Sequence, residues 1–176
     1  MLVTSAEANK YLKKLLREHS ELLEDEKKRS SFIAAIEEDI EEVRPGYDFQ
    51  AVQDRLEEIE SQIRDIKHSI SIFNCHTTIP GYDITIDQML VRIPQISARI
   101  AKLGKMSGRL GKMRINGIPG AGNHIEYQHA NYDVAQAKAA YDDACNELAK
   151  CHLALDKVNN DIKFEVGCMS EEDAVS

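Results

Sequence analysis

From residue 49 onward the apolar positions fall into step. Phe49, Val52, Leu56, Ile59, Ile63, Ile66, Ile70 and Phe73 follow one another at alternating intervals of three and four. Residues so spaced share one face of an α-helix, and Glu, Arg, Asp and Gln fill the outer positions. The stretch therefore predicts a helix over 48–73 with a coiled-coil seam, Asp48 serving as its N-cap. Such a helix is about 35–40 Å long.

The first quarter keeps the same rhythm through Leu12, Leu15, His19 and Leu22, then Glu26 and Arg29, then Ile33, Ile36, Ile40 and Val43. This predicts one helix over 5–44 with a weak, polar centre, started by a capping box between Thr4 and Glu7. Pro45-Gly46 ends it, so the first two helices should form an antiparallel hairpin with a tight connection. Neither stripe can be buried without the other.

"NCHTTIPGYD" is a loop by composition, with Pro80-Gly81 suited to a type II turn. A third helix over 86–113 follows. Thr85 and Gln88 form its capping box, Ile84 and Met89 a hydrophobic staple, and Pro94 is expected to kink it. On the helical wheel Ile93, Ile96, Ile100, Leu103 and Leu110 gather on one side. Lys102, Lys105, Arg109 and Lys112 gather on the other, with Arg99 near the apolar edge. Gly104, Gly108 and Gly111 suggest close approach by a neighbouring helix. A last helix over 132–163 carries a seam through Val134, Ala137, Tyr141, Ala144, Leu148, Cys151, Leu155, Val158 and Ile162.

Two short segments, "HIEYQ" and "KFEV", read as very short strands. Helix lengths put them about 45 Å apart, so pairing between them would require two antiparallel subunits. The expected fold is all-α: an elongated antiparallel bundle of about four long helices in a single domain over 1–166, with a flexible acidic tail over 167–176.

Composition agrees with helices. The chain has 176 residues, 30% of them charged and 6% aromatic, with no Trp. Its net charge of −8 is unevenly distributed. Residues 92–114 hold seven Lys or Arg and no acid, and no acid occurs between Asp87 and Glu126. Acidic blocks on either side argue against a general nucleic-acid binder, and no aromatic residue interleaves the basic stretch for base stacking. The expected neighbours of its positive face are acidic helix faces of the same protein, at residues 37–42 or 57–60. Arg99, Lys102, Lys105, Arg109 and Lys112 thus form the candidate interaction surface.

Other chemistry has weaker support. Cys75, Cys145, Cys151 and Cys168 fit no zinc-ribbon spacing, and no Glu-x-x-His repeat marks a di-metal bundle. "GIPGAG" lacks the ending of a phosphate loop. No metal site, catalytic motif or cofactor is expected. No window is apolar enough for a membrane span, no secretory leader is read at "MLVTSAEANKYLKKLL", and the thiols suit a reducing cytoplasm.

Four stretches carry a family resemblance: "AEANKYLKKLLREHSELL", "IRDIKHSISIFNCHTTI", "ITIDQMLVRIPQISARI" and "VAQAKAAYDDACNELAKCHLALDKVNNDIKFEV". Through them the chain resembles a family of small bacterial helical proteins sometimes labelled septicolysin. Its "LDKVNNDI", its "KFEV" ending and its "INGIPGAGNH" loop depart from that pattern. The resemblance implies an all-helical fold and brings no catalytic or ligand residue. The expected function is a helical interaction or scaffold protein, forming a homo-oligomer or binding a partner. The alternatives are a nucleic-acid accessory protein using 92–114, and a metal-dependent or hydrolytic enzyme with a site near His124, His129 and Cys75.

Overall fold

The structure, a computed structural model, describes residues 1–115 and 125–168. In chain order its elements are β1 (Leu2–Thr4), α1 (Ser5–Arg29), α2 (Ile40–Val43), α3 (Phe49–His76), α4 (Ile86–Ser107), β2 (Lys112–Ile115), β3 (Glu126–His129), α5 (Val134–Asp161) and β4 (Lys163–Glu165). They divide into two compact units, Met1–His76 with Val158–Ser176, and Thr77–Lys157.

In the first unit α1 and α3 run in opposite senses: His19 meets Glu60, and Glu26 meets Gln53. Their stripes close over Ala8, Tyr11, Leu15, Ile59, Ile63 and Ile66. Thr4 serves twice, as the last residue of β1 and as the N-cap of α1. Its side chain accepts from Glu7 N–H, while the Glu7 carboxylate accepts from Thr4 N–H at 2.8 Å. β1 pairs antiparallel with β4, setting Val3 opposite Phe164. Phe164 in turn stacks on Phe73 at the far end of α3, ring centroids 4.4 Å apart.

α1 is shorter than the seam pattern predicts. It stops at Arg29, and residues 30–39 carry no helix before the single turn of α2. Glu26 gives the reason. It occupies a seam position, where its carboxylate accepts from Tyr47 Oη at 2.8 Å and from Gln53 Nε2 at 2.7 Å. Arg29 adds a hydrogen bond to the Gly46 carbonyl. A polar latch therefore closes the hairpin at this point. The chain beyond it has no α3 to lie on, and the connection is a long excursion rather than a tight turn.

In the second unit the Ile79–Tyr82 turn places Gly81 at φ 81°, with Tyr82 N–H donating to the Ile79 carbonyl; this is the positive φ a type II turn demands. Thr85 and Gln88 form the expected capping box on α4. α4 and α5 also run in opposite senses: Arg92 and Arg99 meet Glu147, and Gly104 faces Tyr141. The α5 seam is legible in burial, for Ala137, Ala144, Cys151, Leu155 and Val158 are all buried.

α4 ends at Ser107, not at residue 113, because 112–115 form β2, paired antiparallel with β3. The two sequence-predicted strands thus exist, but their partners differ from expectation. "HIEYQ" pairs through β3 with β2, and "KFEV" through β4 with β1. Both find partners in the same chain, so no second subunit is needed to pair these strands.

Candidate functional site

The basic stretch divides into two parts. Arg92 donates to Glu147 at 2.6 Å and lies over the Tyr82 ring, while Arg99 reaches the other Glu147 oxygen at 3.5 Å. The hydrogen bond to Glu147 is the main cause that raises the Arg92 pKa. Burial, then a hydrogen bond with Cys151, raises that of the Tyr82 phenol. This half lies against an acid of its own chain, but on α5 and not at 37–42 or 57–60, and the side chains for which acidic neighbours are expected from sequence, Lys102, Lys105, Arg109 and Lys112, make no ion pair among the described residues. The acids at 37–42 and 57–60 instead serve the first unit: Glu41 pairs with Arg44, Glu58 with Arg55 and Glu60 with His19.

The other half is open. Lys102 and Lys105, three residues apart, share a face at the end of α4, and Arg109 follows in the turn just past the Gly108 cap. All three are exposed and make no ion pair among the described residues. α4 ends here because Gly108 caps it and the Tyr132 hydroxyl donates to the Met106 carbonyl at 2.9 Å, satisfying a terminal backbone oxygen.

The β2–β3 hairpin extends this cationic end. Cross-strand partners share a face, so Lys112 with His129 and Arg114 with Tyr127 lie on one side. The Lys112 ammonium sits 4.1 Å from the Tyr127 ring centroid. The aromatic group missing from residues 92–114 is thus delivered by strand pairing from a remote part of the sequence, a signal that local composition does not contain. At the junction of α4 and the hairpin lies a groove of about 340 Å³, lined by Arg109, Leu110, Met113, Gln128 and His129. Leu110 and Met113 contribute exposed apolar lining, and Arg109 a positive charge.

A second surface was hidden in the seam of the first quarter. Residues 32–43 carry Phe32, Ile33, Ile36, Ile40 and Val43, all exposed; Ile33 is 97% exposed. Between them stand Glu37, Glu38, Asp39, Glu41 and Glu42. Asp39 caps α2 and Glu38 accepts from Ala35 N–H, whereas Glu37 and Glu42 have no ion pair among the described residues. The strip joins uncovered aliphatic side chains to a dense negative charge.

The third set of sequence candidates is divided between the two units. Cys75 lies in the last turn of α3 in the first unit, His129 lies on β3 in the second, and His124 is outside the described residues. Among the described residues no three His, Cys, Asp or Glu side chains converge as metal ligands, no disulfide forms, and no helix is long and apolar enough to cross a membrane.

No family model and no curated protein matches the chain. Among solved structures it is similar to a functionally unknown conserved protein from Corynebacterium diphtheriae, with a TM-score of 0.61 and 16% identity. The match covers 94% of this chain and 100% of that one. At that identity the likeness establishes the shared fold alone.

Proposed function

We propose that this chain is an interaction protein that works by self-association, with the acidic aliphatic strip at 32–43 as its contact segment. The observation that carries this reading is the exposure of Ile33, Ile36 and Ile40 at helical spacing beyond the Glu26 latch. Covering one such side chain is worth about 1.5–3 kcal/mol. The strip continues the α1 seam in step, so it is poised to lengthen into an amphipathic helix on a receiving surface. A second copy of the chain is the proposed occupant, because the open cationic end of the second unit complements the strip in charge. A reducing, intracellular setting suits four cysteines held as thiols.

The test is association measured by sedimentation velocity. The wild-type chain should form an oligomer whose population rises with concentration, and I33D/I36D should remain monomeric with unchanged circular dichroism. A monomeric wild type at high micromolar concentration would refute the reading.

One observation favours a second reading, that of a nucleic-acid accessory protein. Lys112 and Arg114 share a hairpin face with Tyr127 and His129, which supplies both phosphate-binding charge and stacking rings. The net charge of −8 weighs against it. Binding of a single-stranded oligonucleotide that weakens steeply with salt, and is lost in Y127A, would decide for it.

A further inference from the structure

We infer that the receiving surface for the strip is the cationic end of α4 on a second copy, with the groove beside Leu110 and Met113 accepting its aliphatic side chains. The inference rests on the self-association reading and adds the address of the contact.

Two complementarities support it. The first is charge. Lys102 and Lys105 on the last turns of α4 and Arg109 just past its cap are exposed, without acid partners among the described residues, and no acid occurs in the sequence from 88 to 125. The strip offers five acids within six residues, 37–42, interrupted only by Ile40. Opposed surface charge steers encounter and fixes which faces meet.

The second is shape and polarity. The groove of about 340 Å³ is lined by the exposed Leu110 and Met113 together with Arg109. Once wound into a helix on that surface, the segment would set Ile33, Ile36 and Ile40 on one side with Glu37 beside them, apolar to apolar and negative to positive. Lys112 contributes less, since Tyr127 already faces its ammonium. The strip and the groove are different patches, so each copy both gives and receives, and a reciprocal two-fold dimer, a closed ring or an open filament follows, depending on the rotation between copies.

The experiment is a charge swap in the full-length chain, read by sedimentation velocity and repeated across salt concentrations. Variant one is K102E/K105E/R109E; variant two is E37K/E38K/E42K. All six side chains are exposed, so both variants should keep the wild-type circular dichroism spectrum. Each alone should associate at least about tenfold more weakly than wild type, like charges then facing one another. An equimolar mixture should regain association, because the reversed strip of one meets the reversed cationic end of the other. Wild-type association should also weaken with added salt, which screens exposed charges beyond roughly 8 Å at physiological ionic strength.

Unchanged association in K102E/K105E/R109E, with loss in I33D/I36D, would overturn the address while leaving self-association in place. A wild type that never associates would overturn both. A mixture that fails to recover would overturn the pairing. Tight binding of a single-stranded oligonucleotide, abolished in K102E/K105E/R109E, would assign the cationic end to nucleic acid and overturn it as well.

Discussion

The Tyr47 hydroxyl donates to the Glu26 carboxylate at 2.8 Å, and this one bond marks where the paired part of the α1–α3 hairpin ends. The hydrogen bond to Glu26 is the leading cause that raises the Tyr47 pKa above its ordinary 10.0, followed by desolvation and by the charges of Glu26 and Asp48. The folded chain therefore holds the phenol proton more tightly than the unfolded chain does. Its contribution to stability is complete below the unfolded value near 10 and is lost as pH rises through the higher folded value. Wild type should accordingly lose an alkaline component of stability that Y47F lacks. In E26Q the phenolate absorbance of Tyr47 should titrate nearer its ordinary range. An identical titration in wild type and E26Q would show that the latch does not hold.

Two isoleucines of the same heptad pattern should respond in opposite ways. Ile59 is 0% exposed within the α1–α3 core, whereas Ile33 is 97% exposed. I59A removes buried methylenes and leaves a cavity, at a cost of about 2–5 kcal/mol. I33A should change monomer stability by no more than about 0.5 kcal/mol while weakening self-association. Urea denaturation followed by circular dichroism, at concentrations below the association range, checks both.

Periodicity conveyed α3 and α5 almost completely, since their stripes depend only on which neighbours are apolar at three- and four-residue spacing. It misjudged the first quarter for a physical reason: the pattern of Ile33, Ile36, Ile40 and Val43 declares a helical face, but whether that face is covered depends on how far α3 extends. The polar residue Glu26 was visible as a weak seam position. That Tyr47 and Gln53 would claim it was not, because both come from the opposing strand of the hairpin. The same limit applies at the cationic end. The helical pattern puts Lys102, Lys105, Arg109 and Lys112 on one face, but α4 stops at Ser107, so Arg109 falls in the turn beyond it and Lys112 on β2, where strand pairing with β3 adds Tyr127 and His129.

The start of α1 can be tested through its capping box. T4A removes the oxygen that accepts from Glu7 N–H, and E7Q removes the charge that accepts from Thr4 N–H. T4A should cost about 1 kcal/mol, lowering the melting temperature by a few degrees for a chain of this size, and E7Q, which keeps an accepting amide oxygen, about 0.3–1 kcal/mol. The backbone hydrogen bond from Thr4, then its hydroxyl, holds the Glu7 carboxyl below its ordinary 4.5. That stabilisation is present above the unfolded value and fades as pH falls through the lower folded one. The stability gap between wild type and E7Q should therefore narrow under acid conditions. A gap that stays constant with pH would rule out the charge as its source.

The three glycines near the end of α4 were expected to mark close approach by another helix, and the structure separates them. A Cβ on Gly104 would stand 3.3 Å from Tyr141 Cε2 and 3.7 Å from Cδ2, whereas one on Gly108 would meet only the Gly104 carbonyl, at 3.5 Å, and one on Gly111 nothing within 4 Å. Gly108 also caps the helix at φ −85°, a backbone any residue adopts. G108A should therefore stabilise by about 0.4–1 kcal/mol, chiefly by restricting the unfolded chain. G104A receives a comparable helix-propensity gain of about 1 kcal/mol, but the Tyr141 ring must give way by a few tenths of an ångström, so its net effect should be near zero or unfavourable. G104V removes the ambiguity: its extra methyl groups enter the space that the ring occupies and should destabilise by about 1–3 kcal/mol. In Y141A the penalty at Gly104 should vanish, and that double-mutant coupling identifies the tyrosine as the source. Equal responses at 104 and 108 would mean that α5 does not approach α4 at this point.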